Sequence, residues 1–334
     1  MSEDFDVIVV GGGPAGLAAA ARAVWLGTGE RPYQASVLVL EASGELGGLS
    51  RWQPLQVAAP GFLFTKRELR KILSTCRALG VRFEHDEVVG VDVAPDGRKV
   101  VATARGGTYR GLALVLATGC RRSFAIEPRL FHEKRYRWFL SDDHLVSLFR
   151  ELEETGAARR VCILGSSTVA ATRAVLERAG SRLDLVLVAE PPYDGEAPAG
   201  TIGARAIDVR IGPDSNLVVR LARSGGEVAE LDGIDVLFVD FDSYARRASS
   251  TGFLAGRPFV RPDGFVRAAP DSTVGAPGIL AAGDVTGPPL SVAKALHEGA
   301  VAGFAAYAHV HAHRFGRPPD LFPYYPHPTT PSAD

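Results

Sequence analysis

Apolar positions along the chain fall into two rhythms that predict an alternation of strands and helices. "FDVIVV", Phe5 to Val10, is an apolar run broken by a single acid, and Ser36 to Leu40 is a shorter run of the same kind. Continuous runs of this sort predict parallel strands covered on both faces. Between them, "PAGLAAAARAV" predicts a helix, and so does the stretch Lys66 to Leu79. Val88–Val93 and Lys99–Ala104 flank Pro95-Asp96-Gly97, the signal of a β-hairpin. "ALVLATGC", Ala113 to Cys120, reads as another apolar strand. Beyond it the basic and aromatic stretch "RRSFAIEPRLFHEKRYRWF" has no clear period and reads as a crossing between domains. A new rhythm follows: helix Ser141–Glu154, strand Arg160–Leu164, helix Val169–Ala179 and strand Leu183–Ala189. Further strands are predicted at Val218–Leu221 and Ile234–Asp240. From Phe259 the pattern of the first part returns, with a strand in "PGILAAGDVTG" and a helix from Val292 to His309. The closing "HRFGRPPDLFPYYPHPTTPSAD" is too rich in proline to be helical for long.

Composition narrows the function classes. With 37 basic and 38 acidic residues the net charge is −1, so neither nucleic acid nor an anionic membrane surface is an expected partner. The acidic start, Met1-Ser2-Glu3-Asp4, leads straight into a strand, and no apolar run is long enough to span a bilayer. A cytoplasmic location is the expectation. The 3 cysteines, Cys76, Cys120 and Cys162, are scattered and form no C-x-x-C, which argues against a disulfide framework or a zinc site. His309 and His313 stand four apart, but no acid or cysteine accompanies them. They read as a solvated helix end, and no metal is expected.

The chemistry begins at Gly11-x-Gly13-x-x-Gly16, directly after the first strand. Gly11 permits a tight turn, Gly13 lets backbone approach a pyrophosphate, and Gly16 lets the helix pack on the strand. Pro14 and Ala15 open that helix, whose free amides hold phosphate. The second strand ends in Glu41, a carboxylate placed to accept from a ribose diol. Strand, turn, helix, strand and acid in that order predict a dinucleotide site.

Three further stretches name the dinucleotide. "GELGGLS" with Gly47 and Gly48, "LATG" with Ala117, Thr118 and Gly119, and "PGILAAGDV" with Gly283 and Asp284 resemble the FAD signatures of two-dinucleotide-domain flavoprotein reductases. Together with "KALHEGAVAGFAAYAHV" after Val292, the order is similar to the thioredoxin reductase branch. The resemblance implies FAD as cofactor, Asp284 on its ribityl chain, and a homodimer. Asp284 also stands where a helix N-cap could be. The fold class expected is α/β, with two Rossmann-like three-layer dinucleotide-binding domains. Residues 1–122 and 259–334 make the FAD domain, and residues 123–258 form an inserted NAD(P)H-binding-like domain.

Departures from the family pattern shape the functional expectation. Its redox-active C-x-x-C precedes the strand-turn-helix of the inserted domain, where this chain reads "KRYRWFLSDDHLVSLF" without cysteine. Its NADPH turn, G-x-G-x-x-A, is here Gly165-Ser166-Ser167-Thr168-Val169-Ala170. A Cβ at Ser167 intrudes where pyrophosphate approaches the backbone. The family's arginines for the 2′-phosphate are absent, and Glu190 stands there instead, so NADH is favoured over NADPH if either binds. Two readings stay open: the second site has decayed, or Ser166 and Ser167 hold the phosphates by hydrogen bonds.

The expectation is an FAD-dependent oxidoreductase that is not a thioredoxin reductase, fed by a ferredoxin-like protein or acting on a small molecule. The alternatives are an NADH-dependent reductase with a modified second site, and a flavin-binding sensor without turnover. Trp52 and Cys120 are the candidates beside the flavin ring, and Tyr324, Tyr325 and His327 resemble aromatic extensions that cover flavin in related reductases.

Overall fold

The computed structural model describes residues 3–24, 33–51, 55–59, 62–120, 124–126, 130, 135–139, 142–165, 183–190, 200–223, 225–240 and 249–319. The chain divides into two compact units, Met1–Cys120 with Ala248–Asp334, and Arg121–Arg247. The first unit resumes at Ala248, ahead of Phe259, because the short turn Ser249–Leu254 buries Leu254 beside Val88 and Val91.

In the first unit β1 (Glu3–Val10), α1 (Pro14–Val24) and β2 (Val37–Leu40) follow one another as predicted. The hairpin β3 (Leu55–Ala59) and β4 (Phe62–Thr65) lies in a stretch the sequence pattern left unassigned. Thr65 then caps α2 (Lys66–Ala78) in a reciprocal box with Glu68. β5 (Arg82–Glu84), β6 (Val88–Val93), β7 (Lys99–Thr103) and β8 (Thr108–Leu116) complete the first segment. The sheet order is β5-β2-β1-β8-β7-β6, parallel from β5 to β8 and antiparallel beyond.

The continuous apolar runs are explained by burial on both faces. Val7, Val9, Val37, Val39, Ala113 and Val115 pack on the helices, while Ile8, Val10, Leu38, Leu40, Leu114 and Leu116 pack on the opposite layer. The acid inside β1, Asp6, is tolerated because it accepts from Tyr33 (2.5 Å), the Ser36 amide (2.8 Å) and Arg314 (2.8 Å). Burial raises its carboxyl, but these donors outweigh that and hold it below the usual range.

In the second unit β9 (Ala125–Ile126), β10 (Tyr136–Phe139), α3 (Asp142–Thr155), β11 (Arg160–Leu164) and β12 (Asp184–Ala189) are followed by β13 (Ile202–Ile211), β14 (Leu217–Arg223), β15 (Val228–Ile234) and β16 (Val236–Asp240). The sheet order is β10-β16-β11-β12-β13-β14-β15, with β9 beside β13. Strands β10, β16, β11 and β12 are parallel, and α3 covers them through Leu145, Phe149 and Leu152 on Val161, Ile163 and Phe238.

The chain returns to the first sheet as β17 (Ile279–Ala281), parallel to β8, and ends its described part in α4 (Val292–Phe315). This helix runs past the His309 expected as its end, because nothing breaks it before Gly316, which stops it with φ +68°. Two glycines inside α4 allow it to lie against α1. A Cβ at Gly299 would stand 2.3 Å from the Ala15 carbonyl oxygen, and one at Gly303 2.3 Å from that of Ala19. Glycine inside a helix costs about 1 kcal/mol relative to alanine. Close packing on Ala15, Ala19, Ala20 and Ala23 offsets that cost.

Candidate functional site

The parallel strands of the first unit end together, and the turns after β1, β8 and β17 form one rim. The Gly11 amide donates to Leu40 O at 2.8 Å, the Ala117 amide to Val10 O at 2.8 Å, and the Ala282 amide to Leu116 O at 2.9 Å. Ligands of open α/β sheets bind at such carboxyl ends. The expected strand through Cys120 stops at Leu116, so that Ala117, Thr118 and Gly119 belong to the rim, with Gly119 at φ +64°.

Two glycines of the turn after β1, Gly11 and Gly16, have no room for a side chain. Gly11 lies at φ +106°, and a Cβ there would stand 2.3 Å from the Ala117 carbonyl oxygen. A Cβ on Gly16 would stand 1.8 Å from Gly11 O, which is how closely α1 enters the turn. Gly13 differs: its Cβ position meets only Gly48 Cα, at 3.8 Å, so its backbone is open to approach. Gly47 (φ +112°) donates its amide to Gly12 O at 2.7 Å, which seats the Gly47–Gly48 loop on the turn.

Glu41 ties the turn to β2. Its Oε2 accepts the Gly12 amide at 2.7 Å and its Oε1 the Ser43 amide at 2.8 Å. Each carboxylate oxygen carries a second acceptor site, so a ribose hydroxyl can still be taken.

Across the rim, Asp284 is held for a donor that the described residues do not supply. Its Oδ1 is buried without a hydrogen-bond partner among the described residues. Burial pushes its pKa up to about 6, with Lys294 opposing the rise and Glu298 adding to it. The short turn that carries it, Gly283–Thr286, is braced by two side chains that the sequence reading missed. Lys294 Nζ donates to Gly283 O (2.8 Å) and Thr286 Oγ1 (2.6 Å) and pairs with Glu298 at 3.2 Å. Glu298 accepts the Gly283 amide at 2.8 Å. The only sequence signal was an i,i+4 Lys–Glu pair, which is ordinary on helix surfaces. Asp284 is no helix N-cap: Ser291 caps α4, accepting the Lys294 amide at 3.2 Å, and Val292 is buried just inside.

Cys120 lies on the same rim, its Sγ 3.8 Å from Asp284 O. Burial pushes its thiol up to about 12, and the Asp284 charge adds to the rise. Trp52 lies outside the described residues, as do Ser166 and Ser167 of the second turn and Tyr324, Tyr325 and His327 of the tail. Gly165 is described and donates its amide to Val188 O at 3.1 Å; Glu190, half-buried, follows β12. His309 is half-buried rather than solvated. A Cβ on Gly278 would stand 2.5 Å from His309 Nε2 and 2.2 Å from Lys99 Nζ, and burial, with Lys99 second, holds the imidazole below its usual value. No cluster among the described residues could hold a metal ion.

A glycine cradle open at Gly13, a carboxylate at the end of the neighbouring strand, and an orphaned buried carboxylate oxygen fit a dinucleotide with a hydroxylated chain. The fold and this rim define an FAD-dependent flavoprotein of thioredoxin-reductase-like architecture, built from two Rossmann-like units. The chain belongs to the pyridine nucleotide-disulphide oxidoreductase family, whose model matches residues 5–199. Membership makes it an oxidoreductase of a family that uses FAD and a pyridine nucleotide. The fold is shared with thioredoxin reductase from Lactococcus lactis, at 20% identity and a TM-score of 0.54, over 92% of this chain and 99% of that one. The Streptococcus pyogenes thioredoxin reductase matches at 17% identity and a TM-score of 0.58, over 93% of this chain and 100% of that one. Thioredoxin reductase from Giardia duodenalis matches at 15% and 0.58, over 92% and 99%. No helix among the described residues is long and apolar enough to cross a membrane.

Proposed function

We propose that this chain is an FAD-dependent oxidoreductase that works without an internal dithiol and without ordinary use of NADPH, and so is not a thioredoxin reductase. The observation that carries this reading is the state of its thiols. Cys76 points into the core and donates to Leu17 O at 3.4 Å, and Cys162 is fully buried in β11. Burial raises both, Cys76 to about 11, as it raises Cys120. Dithiol exchange needs a thiolate with a second thiol in reach. With no C-x-x-C in the sequence, neither condition has a candidate. The side chain at Ser167 and the acid at Glu190 support the second half of the reading.

When bound, FAD supplies the hydride and one-electron chemistry. The residues of this chain hold and orient it. The turn Gly11, Gly13, Pro14, Ala15 and Gly16 takes the pyrophosphate at the start of α1, and Glu41 takes the ribose. Gly47 and Gly48 close on that turn, and Ala117, Thr118, Gly119, Gly283 and Val292 line the rim. Asp284 takes a ribityl hydroxyl on its free oxygen. Trp52 and Cys120 are the side chains assigned to the ring's surroundings. Electrons come from a redox protein of the ferredoxin type or go to a small organic molecule, and the protein works as a homodimer in the cytoplasm. A second reading, NADH-dependent reduction through a modified site, is favoured by the acid Glu190 next to β12.

Anaerobic mixing of the FAD-loaded protein with NADH and with NADPH decides between them. Slow or absent bleaching of the flavin by either is the expected result. Rapid bleaching by NADH supports the second reading, and rapid bleaching by NADPH with turnover of thioredoxin sinks both.

A further inference from the structure

The two units share one backbone hydrogen bond where the first strand enters its turn, so their described residues can be matched by that bond rather than by eye. In the first unit Val10 pairs with Leu40, and the Gly11 amide donates to Leu40 O. The next position on β2's path is Glu41, whose carboxylate reaches back to the Gly12 amide. In the second unit Leu164 pairs with Val188, and the Gly165 amide donates to Val188 O. The next position there is Ala189, which is 1% exposed, and Glu190 comes one place later.

The offset has a visible cause. On its far side β12 pairs with β13 through Val188↔Ile202 and Ala189↔Gly203, which keeps β12 a strand through Ala189. β2 leaves strand geometry at Leu40. Counting from strand ends therefore equates Glu190 with Glu41, whereas counting from the turn's own hydrogen bond equates Ala189 with Glu41. The second count is the one that matters, because the nucleotide is seated by the turn. Successive residues of an extended chain project to opposite faces, so an acid one place late is also aimed differently.

We propose that Ala189, and not Glu190, occupies the ribose-reading position of the second unit. Its methyl group removes the acceptor for an adenosine 2′,3′-diol, while Glu190, one step on, repels a 2′-phosphate. The second unit thus discriminates against NAD(H) as well as NADP(H). This deepens the function proposed above and replaces the expectation that Glu190 reads an unphosphorylated ribose.

The test titrates NAD⁺ and NADP⁺ into FAD-loaded full-length protein by saturation-transfer NMR. Ser167→Gly is the background, so that the turn's own side chain does not hide a gain. Glu190→Gln is expected to change NAD⁺ affinity less than about twofold, and Ala189→Asp to tighten it about tenfold or more, the worth of one charged hydrogen bond. NADP⁺ gains nothing from Ala189→Asp. Because Ala189 is buried, Ala189→Ser runs alongside, with an expected gain of about threefold from a neutral acceptor, and retained flavin reports the fold. A tenfold loss with Glu190→Gln, or folded position-189 variants without gain, overturns the assignment. If NADH bleaches the wild-type flavin and Glu190→Gln leaves that unchanged, the function proposed above and the discrimination against NAD(H) both fail, while the placement of position 189 rather than 190 at the ribose stands.

Discussion

The two dinucleotide units of this chain begin alike and end differently, and the difference separates what a fold needs from what a ligand needs. Both have a parallel strand pair whose first turn glycine donates to the second strand, at 2.8 Å in one unit and 3.1 Å in the other. That bond belongs to the scaffold. In the first unit its surroundings fit a ligand: Gly13 open to approach between the tightly packed Gly11 and Gly16, Glu41 closed on the turn, and Asp284 buried with an unfilled oxygen. In the second unit the strand core is equally apolar, yet the acid has slipped one place out of register. Packing keeps the strand pair in both units, whereas the acid at this register position is present only where it also ties the turn through the Gly12 and Ser43 amides.

The largest expected effect comes from breaking the committed turn. Gly16→Val puts carbon where Gly11 O already stands, and its Cβ alone would meet that oxygen at 1.8 Å. Overpacking a tight site costs about 1–3 kcal/mol or more, and here it also forces α1 away from the phosphates. The purified protein should be colourless, and its thermal midpoint should fall; yellow protein with an unchanged midpoint would contradict the site.

A smaller effect compares the two acids directly. Glu41→Ala removes the acceptor of the Gly12 and Ser43 amides as well as that of the ribose. FAD affinity should drop about a hundredfold, from hydrogen bonds to a charged group worth about 1.5–3 kcal/mol each. Glu190→Ala should leave flavin content and affinity as they are. Equal losses in the two variants, read by fluorescence of released flavin, would erase the contrast between the units.

How far the sequence foretold this is itself a matter of register. Strands buried on both faces announce themselves, because Val7 and Ile8 face different layers and both must be apolar. Gly11 and Gly16 of the first turn were legible for a steric reason that the fold repeats. The meander from β13 to β15 was only half seen, since Ile202–Ile211 mixes arginine, aspartate and alanine and shows no clean apolar alternation, although its antiparallel partner β14 is the next strand in the chain. Lys294 and Glu298 were invisible as site residues because a helix-surface pair has the same spacing whether or not it braces a turn. The slip at Ala189 could not be read at all. It depends on β13 holding β12 for one more residue, and pairing between strands is not written in the periodicity of either.

The finest discrimination is a pH profile at Asp284. Its carboxyl is raised from 3.8 to about 6 by burial, so the flavin-free folded state holds the proton more tightly than the unfolded chain. The stabilisation this gives is full below the unfolded value, fades as pH rises toward 6, and is gone above it. FAD acts in the opposite sense. A ribityl hydroxyl donates to the ionised carboxylate, so binding draws the proton off and affinity should climb about tenfold between about pH 5 and 7. Asp284→Asn keeps an acceptor oxygen but cannot ionise, so its affinity should stay near the acidic wild-type level and its profile should be flat. Lys294→Met should move the wild-type midpoint upward, because the ammonium that favours the carboxylate is gone. A sloping profile in Asp284→Asn would mean that another group carries the titration, and that the orphaned Asp284 oxygen is not where the flavin's chain is held.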